Sequence, residues 1–352
     1  MKIKTLKAIR NLLRSRNLSL PVLDYFLIDS EYLSYTNLET HIRVKHQFPF
    51  KPDSEPIVVR ADHFIQRIER IKAPYFITGD ANLKITFEQS ESESTMAGLQ
   101  PAIEYPMQPT FKGAKKICTI TAYELNIMNT AIQFTAEDEL RPVMQTVCLD
   151  IEHIVASDAH KLYYKKIKKI TDTQVLFERA VVKLLLLAEG QSFAITQYGN
   201  YYCADSPEMT VYWRSDHSIS SSYNNYPAWQ KVVPEPKFRA IIPVKETINA
   251  LSAIMFAANP ASGRIIFNIT SNRMKLSCSD LDYGLSASET VNIINSDSND
   301  IEFGLKGQFI LQVLKSLQNE GFAQVTMGWS EPNKSILFQD QILIMPMMLN
   351  TD

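Results

Sequence analysis

At 352 residues the chain exceeds the size at which a single hydrophobic core usually keeps growing, so two or three domains are expected. With 45% hydrophobic and 21% charged residues, its composition is that of an ordinary soluble globular protein and argues against a disordered chain. The formal net charge of −2 excludes a global pull toward nucleic acid, so any such binding must come from local clusters of Lys and Arg.

The first twenty residues, MKIKTLKAIRNLLRSRNLSL, carry charges throughout and no small-residue cleavage site, so they read as a helix rather than a signal peptide. No apolar run approaches the roughly 18 residues of a membrane span. Amphipathic spacing predicts helices over Leu6–Arg14, Ala61–Lys72, Tyr123–Phe134, Phe177–Glu189, Val244–Ala258 and Gly307–Asn319. Strand patterns fall between them at Tyr25–Ser30, Thr146–Ile151, Arg264–Ile269, Arg273–Ser277 and Ser335–Phe338. Acidic, Ser-rich Gln89–Thr95 reads as an exposed loop, and Pro234-Glu235-Pro236 as a stiff linker. The four cysteines, Cys118, Cys148, Cys203 and Cys278, are widely spaced and form no C-x-x-C, as buried reduced thiols would be.

The chain repeats itself. Leu20-Pro21-Val22-Leu23 matches Arg141-Pro142-Val143-Met144, Thr36-Asn37 matches Ser157-Asp158, and Tyr105-Pro106 matches Tyr226-Pro227, each pair 121 residues apart. A looser third copy places Ser279-Asp280 122 residues beyond Ser157-Asp158 and Met345-Pro346 119 beyond Tyr226-Pro227. A shared period of this length implies tandem copies of one unit. Three domains follow, 1–113, 114–236 and 237–352, each with two helices on antiparallel sheet: an α+β fold.

Three stretches carry a resemblance. Ser157-Asp158-Ala159-His160-Lys161-Leu162 resembles T-D-G-H-R-L, Tyr226-Pro227-Ala228-Trp229-Gln230-Lys231-Val232-Val233-Pro234 resembles F-P-x-Y-R-R-V-L-P, and Leu343-Ile344-Met345-Pro346-Met347-Met348-Leu349 resembles V-V-M-P-M-R-L. In this order, on a threefold repeat, they are similar to the bacterial sliding clamp family, the beta subunit of DNA polymerase III, of which the chain looks like a divergent member. Ala159 stands where the family has glycine, Lys161 and Lys231 where it has arginine, and Met348 at a further arginine-like position. An ammonium does not replace a planar guanidinium, so these departures bear on partner preference.

The resemblance implies a head-to-tail dimeric ring of three tandem DNA-clamp domains per chain. If the two helices of each domain line a pore, helix geometry points the same way: six helices spaced about 9.5 Å apart make a circle of axes only about 18 Å across, too narrow for duplex DNA. Twelve, from two chains, leave a gap of roughly 26 Å. Lining faces need cations or neutral polar groups. Lys7, Arg10 and Arg14 share one face of the first helix, Arg60, His63, Arg67 and Arg70 one face of the second, and Lys315 lies in the sixth. Taken alone, such cations read as solvated helix faces. Within a ring they make sequence-blind, salt-sensitive contact suited to sliding. Family correspondence adds Arg16 and Asn17 to the DNA-binding residues, and aligns Phe256 and Ala257 with dimer contacts.

His160 has no second His or Cys at metal-ligand spacing, so no metal is expected there, and the Asp158-His160 pair lacks a nucleophile elbow. No cofactor and no enzyme activity are expected. The turn instead resembles one wall of the family's partner-peptide cleft. Met144, Leu162, Pro227, Val232, Leu343, Ile344, Met345, Pro346 and Met347 would supply the apolar groove, with Ser157, Ala159, His160, Lys161, Lys231, Ser335 and Met348 around it and Phe309 as a gating aromatic. Such a groove suits a short motif anchored by Leu and Phe. The resemblance thus implies a cytoplasmic, nucleoid-associated replication protein without membrane contact, binding duplex DNA, the replicative polymerase, the clamp loader and repair proteins. The alternative is a clamp-fold scaffold with a private partner that does not encircle DNA.

Overall fold

The structure is a computed structural model that describes residues 2–14, 20–52, 54–87, 92–98, 105–106, 113–138, 141–214, 226–297 and 301–349. Arg16 and Asn17 lie outside the described residues. The chain packs as two compact units. The first comprises Met1–Asn129, Thr146–Glu152 and Ile167–Asn224, the second Thr130–Gln145, His153–Lys166 and Asn225–Asp352.

In the first unit, an antiparallel sheet runs in the order Ile57–Arg60, Tyr25–Ile28, Tyr32–Thr36, Thr40–Lys45, Met209–Arg214, Tyr201–Asp205, Phe193–Tyr198, Lys115–Ile120. Its inward residues alternate with exposed ones, so Phe26, Leu33, Ile42, Val211 and Trp213 fall on the buried face. Helices α1 (Ile3–Leu12), α2 (Ala61–Arg70) and α4 (Arg179–Leu185) belong to this unit, and α1 packs on both α2 and α4. In α2 the buried residues Ala61, Phe64, Ile65 and Ile68 recur at helical spacing, each large apolar side chain contributing about 1.5–3 kcal/mol by leaving water. Helix α3 (Ala122–Ala131) continues as a 3-10 turn to Phe134.

A second sheet in this unit joins Tyr75–Gly79, Asn82–Phe87 and Glu93–Ala97. The last strand corrects the end of the loop expected over Gln89–Thr95: Thr95, Ser94 and Glu93 pair with Lys84, Ile85 and Thr86, while residues 89–91 lie outside the described residues. None of its residues is buried. A polar strand on a sheet edge keeps only its backbone pairing, which leaves no hydrophobic alternation to read.

In the second unit, one sheet contains the order His153–Ser157, Lys161–Lys166, Ile342–Ile344, Ile336–Phe338, Gln324–Trp329, Phe238–Pro243, Asn295–Ser296. Another joins Leu285–Asn292, Arg273–Asp280, Arg264–Ile269 and Ile301–Lys306. Helices α5 (Val244–Ile254) and α6 (Gly307–Asn319) pack together, α6 burying Ile310, Val313, Leu314 and Leu317.

Four helices start directly after a strand. Arg60, Glu178, Pro243 and Lys306 each end a strand and serve as the N-cap of α2, α4, α5 and α6 in extended conformation, without a side-chain cap. Pro21–Asp24 and Pro142–Gln145, 121 residues apart, are both short 3-10 turns entering strands. Fold class therefore agrees with the sequence reading, and so do the elements apart from the edge strand Glu93–Ala97.

Candidate functional site

The turn between strands His153–Ser157 and Lys161–Lys166 is built by its own side chains. The Ser157 hydroxyl donates to the Lys161 carbonyl (2.9 Å) and accepts from the Ala159 N–H (3.1 Å). Asp158 Oδ1 accepts the N–H groups of His160 (2.9 Å) and Lys161 (2.8 Å). These bonds force Ala159 to φ +72°, the left-handed region where glycine is cheapest. The glycine-to-alanine departure is therefore carried as strain, held by side-chain bonds.

Beside this turn, within the second unit, lies a cavity of about 230 Å³. From the expected set, Met144, Ser157, Ala159, His160, Lys161, Leu162, Pro227, Val232, Leu343 and Met345 line it. Tyr226, Ala228 and Trp229 line it as well, although the sequence reading left them out. Trp229 opens a 3-10 turn ending at Val232, and its ring lies 5.2 Å from that of Tyr164 and 5.1 Å from that of His153. A large aromatic two residues after Pro227 in a quoted motif was the signal available for it. Val232 and Met345 are 56% and 44% exposed, so the apolar lining reaches solvent.

Several expected residues take other places. Lys161 is a buried cation rather than a polar rim: its Nζ donates to the Gln133 carbonyl (2.6 Å), stands 3.5 Å from Asp158 Oδ2, and lies 5.4 and 5.3 Å from the rings of Phe134 and Phe309. Gln312 also donates to the Gln133 carbonyl (2.6 Å). Phe309 does not line the cavity, and its ring lies 6.5 Å from that of His160, which does. Ser335 is buried, Ile344 is a buried strand residue paired with Lys161 and Ile336, and neither lines the cavity. Lys231, Pro346, Met347 and Met348 lie off the lining. The Met347 N–H donates to the Gly304 carbonyl (2.8 Å) and the Met348 carbonyl accepts from Arg264 (3.0 Å), which ties the C-terminal segment to the neighbouring strand.

The basic helix faces are only partly free. Arg10 is corrected: it is buried and its Nη2 contacts Asp62 Oδ2 at 2.6 Å, because α1 turns this position toward α2. Lys7 meets Glu69 at 2.6 Å, both half exposed, a pair worth little in water. The Arg67 guanidinium lies 5.2 Å over the Phe87 ring. Arg14, Arg60, Arg70 and Lys315 are exposed. Phe256 is 70% exposed, whereas Ala257 is fully buried and offers no surface to a partner.

Among the described residues, no group of three or more His, Cys, Asp or Glu could hold a metal, and no helix is long and apolar enough to cross a membrane. No family profile and no curated protein matches the sequence. Solved structures do match. The DNA polymerase III subunit beta from Pseudomonas aeruginosa superposes with TM-score 0.81 at 18% identity, covering 99% of this chain and 97% of that one. The fold is that of a sliding clamp. The beta subunit from Thermotoga maritima gives TM-score 0.82 at 18% identity, and the sliding clamp from Bartonella birtlesii bound to griselimycin 0.84 at 16%, both with the same coverage of each chain. The antiparallel sheets, strand-to-helix junctions and repeated turns are thus the clamp fold carried by a divergent sequence.

Proposed function

We propose that this chain is a sliding clamp, a homodimeric ring that encircles duplex DNA and tethers a replicative polymerase, with the clamp loader and repair proteins, through the cleft at Ser157–Leu162. Each chain contributes three repeats, 1–113, 114–236 and 237–352. The chain does no chemistry itself. The observation that carries this reading is the end-to-end agreement with sliding-clamp structures, 99% of this chain against 97% of theirs. The cavity supports the peptide-binding part, because an apolar pocket with a few convergent polar groups is where a short motif docks.

Each unit also presents a sheet edge, Glu93–Ala97 in the first and Leu285–Asn292 in the second. Near the second edge Leu281, Tyr283 and Phe256 are exposed. Two unlike edges on one chain suit a head-to-tail contact between copies, which closes into a ring when the rotation permits.

The test is retention on circular against linearised duplex DNA in moderate salt, with a cognate loader or spontaneous loading. Retention on circles and loss from linear DNA is expected. Equal behaviour on both favours the second reading, a clamp-fold scaffold with a private partner. The neutralised Arg10–Asp62 and Lys7–Glu69 pairs favour that reading, since they reduce the free positive charge of α1.

A further inference from the structure

We infer that Met345 is a modification site at which a hydroperoxide, by converting the thioether to a sulfoxide, switches off the cleft. This rests on reading the cavity as a partner-binding cleft. Met345 lines the cavity and is 44% exposed, so the residue is open to a dissolved oxidant. Its backbone is held in place: the Met345 N–H donates to the His160 carbonyl (2.8 Å), and two residues on the Met347 N–H donates to Gly304 (2.8 Å). A Cβ on Gly304 would stand 3.2 Å from both Leu349 Cδ2 and the Met347 carbonyl oxygen, so the segment is seated closely there. The modified side chain therefore stays at the cavity wall.

The thiols do not compete. Cys118, Cys148, Cys203 and Cys278 are all buried, and burial pushes each above the usual thiol range, so little thiolate forms. Oxidant chemistry then falls to exposed thioethers. The sulfur lone pair attacks one peroxide oxygen, the O–O bond breaks as the S–O bond forms, and the other oxygen leaves as water or alcohol after taking a proton. Sulfur is oxidised by two electrons and the peroxide reduced by two. The product sets a polar oxygen beside Met144, Leu162, Val232 and Leu343, where a partner's apolar anchor would have to bury it. Met348 is 78% exposed yet lies off the lining, which makes it an internal control.

The experiment treats the full chain with hydrogen peroxide, maps added oxygen by peptide mass spectrometry, and measures affinity for a labelled short peptide carrying Leu and Phe anchors. One added oxygen on Met345 should accompany about a tenfold loss of affinity, reversed by methionine sulfoxide reductase. Met345→Leu should keep its own untreated affinity after peroxide, whereas Met348→Leu should lose affinity as the wild type does. An oxidised Met345 with unchanged affinity overturns the inference, as does a Met345→Leu protein that still loses affinity, or a Met345 that stays unoxidised. Failure of the untreated protein to bind the peptide at all removes the cleft reading itself, an outcome distinct from the others.

Discussion

Two turns 121 residues apart share a backbone and differ in what surrounds them. At Thr36–Thr40 the Thr36 hydroxyl donates to the Thr40 carbonyl (3.1 Å) and accepts from Leu38 (2.9 Å), while Asn37 Oδ1 accepts from Glu39 (3.2 Å) and Thr40 (2.7 Å). This is the network of Ser157–Lys161, including a left-handed residue, Leu38 at φ +78° against Ala159 at +72°. At the last turn position the first unit has Thr40 near Glu178, whose carboxyl burial, and then the Glu39 charge, push up to about 7 against a weaker opposing bond from Thr40. The second has Lys161, a buried cation. The repeat thus sets the chain path, while the side chains converging on the two turns differ.

The largest effect expected is at Trp229, which has no part in the first turn. Trp229→Ala should cost about 3–5 kcal/mol in stability and abolish peptide binding, measured by urea unfolding and fluorescence anisotropy. A smaller loss would mean that the ring contacts with Tyr164 and His153 do not hold the wall. Next is Lys161→Ala, which strips the Gln133 carbonyl and Asp158 of their shared cation. It should destabilise by about 2–3 kcal/mol and weaken peptide binding, whereas Thr40→Ala in the other turn should leave peptide binding untouched.

Glu178 carries the pH dependence of the first turn. Its folded pKa is raised, so its stabilising contribution is present below the usual carboxylate range and lost as pH rises through about 7. Glu178→Gln should therefore remove a loss of about 2 kcal/mol between pH 5 and pH 8. His41 and His46, held by burial below the usual imidazole range, act in the opposite sense, so the difference between variant and wild-type unfolding curves isolates the carboxyl. The smallest effect tests the turns' equivalence: Ala159→Gly and Leu38→Gly should each stabilise by about 0.5–1 kcal/mol. Opposite signs in thermal unfolding would show that only one of the two backbones is strained.

Legibility followed locality. The α6 boundaries were readable because Ile310, Val313, Leu314 and Leu317 recur at helical spacing. Strand Arg264–Ile269 was readable because its burial alternates. The polar edge strand Glu93–Ala97 was not, since only its ladder partner defines it. In the cleft, Met144, Leu162 and Met345 were named as apolar members of recognisable motifs, while Trp229, although in a quoted motif, was passed over because its role depends on Tyr164 and His153, more than 60 residues away in sequence.

By itself the sequence determined the α+β class, the 121-residue period and the side-chain-bonded turns, because helix and strand periodicity and Asx-type bonding act over a few neighbouring residues. Only the tertiary structure decided which charges are spent inside the protein. Whether Arg10 meets Asp62, Lys161 meets the Gln133 carbonyl, or Ala257 keeps any surface depends on contacts between elements far apart in the chain. Burial is a property of that packing, and it separates a cation available to a partner from one committed to the fold.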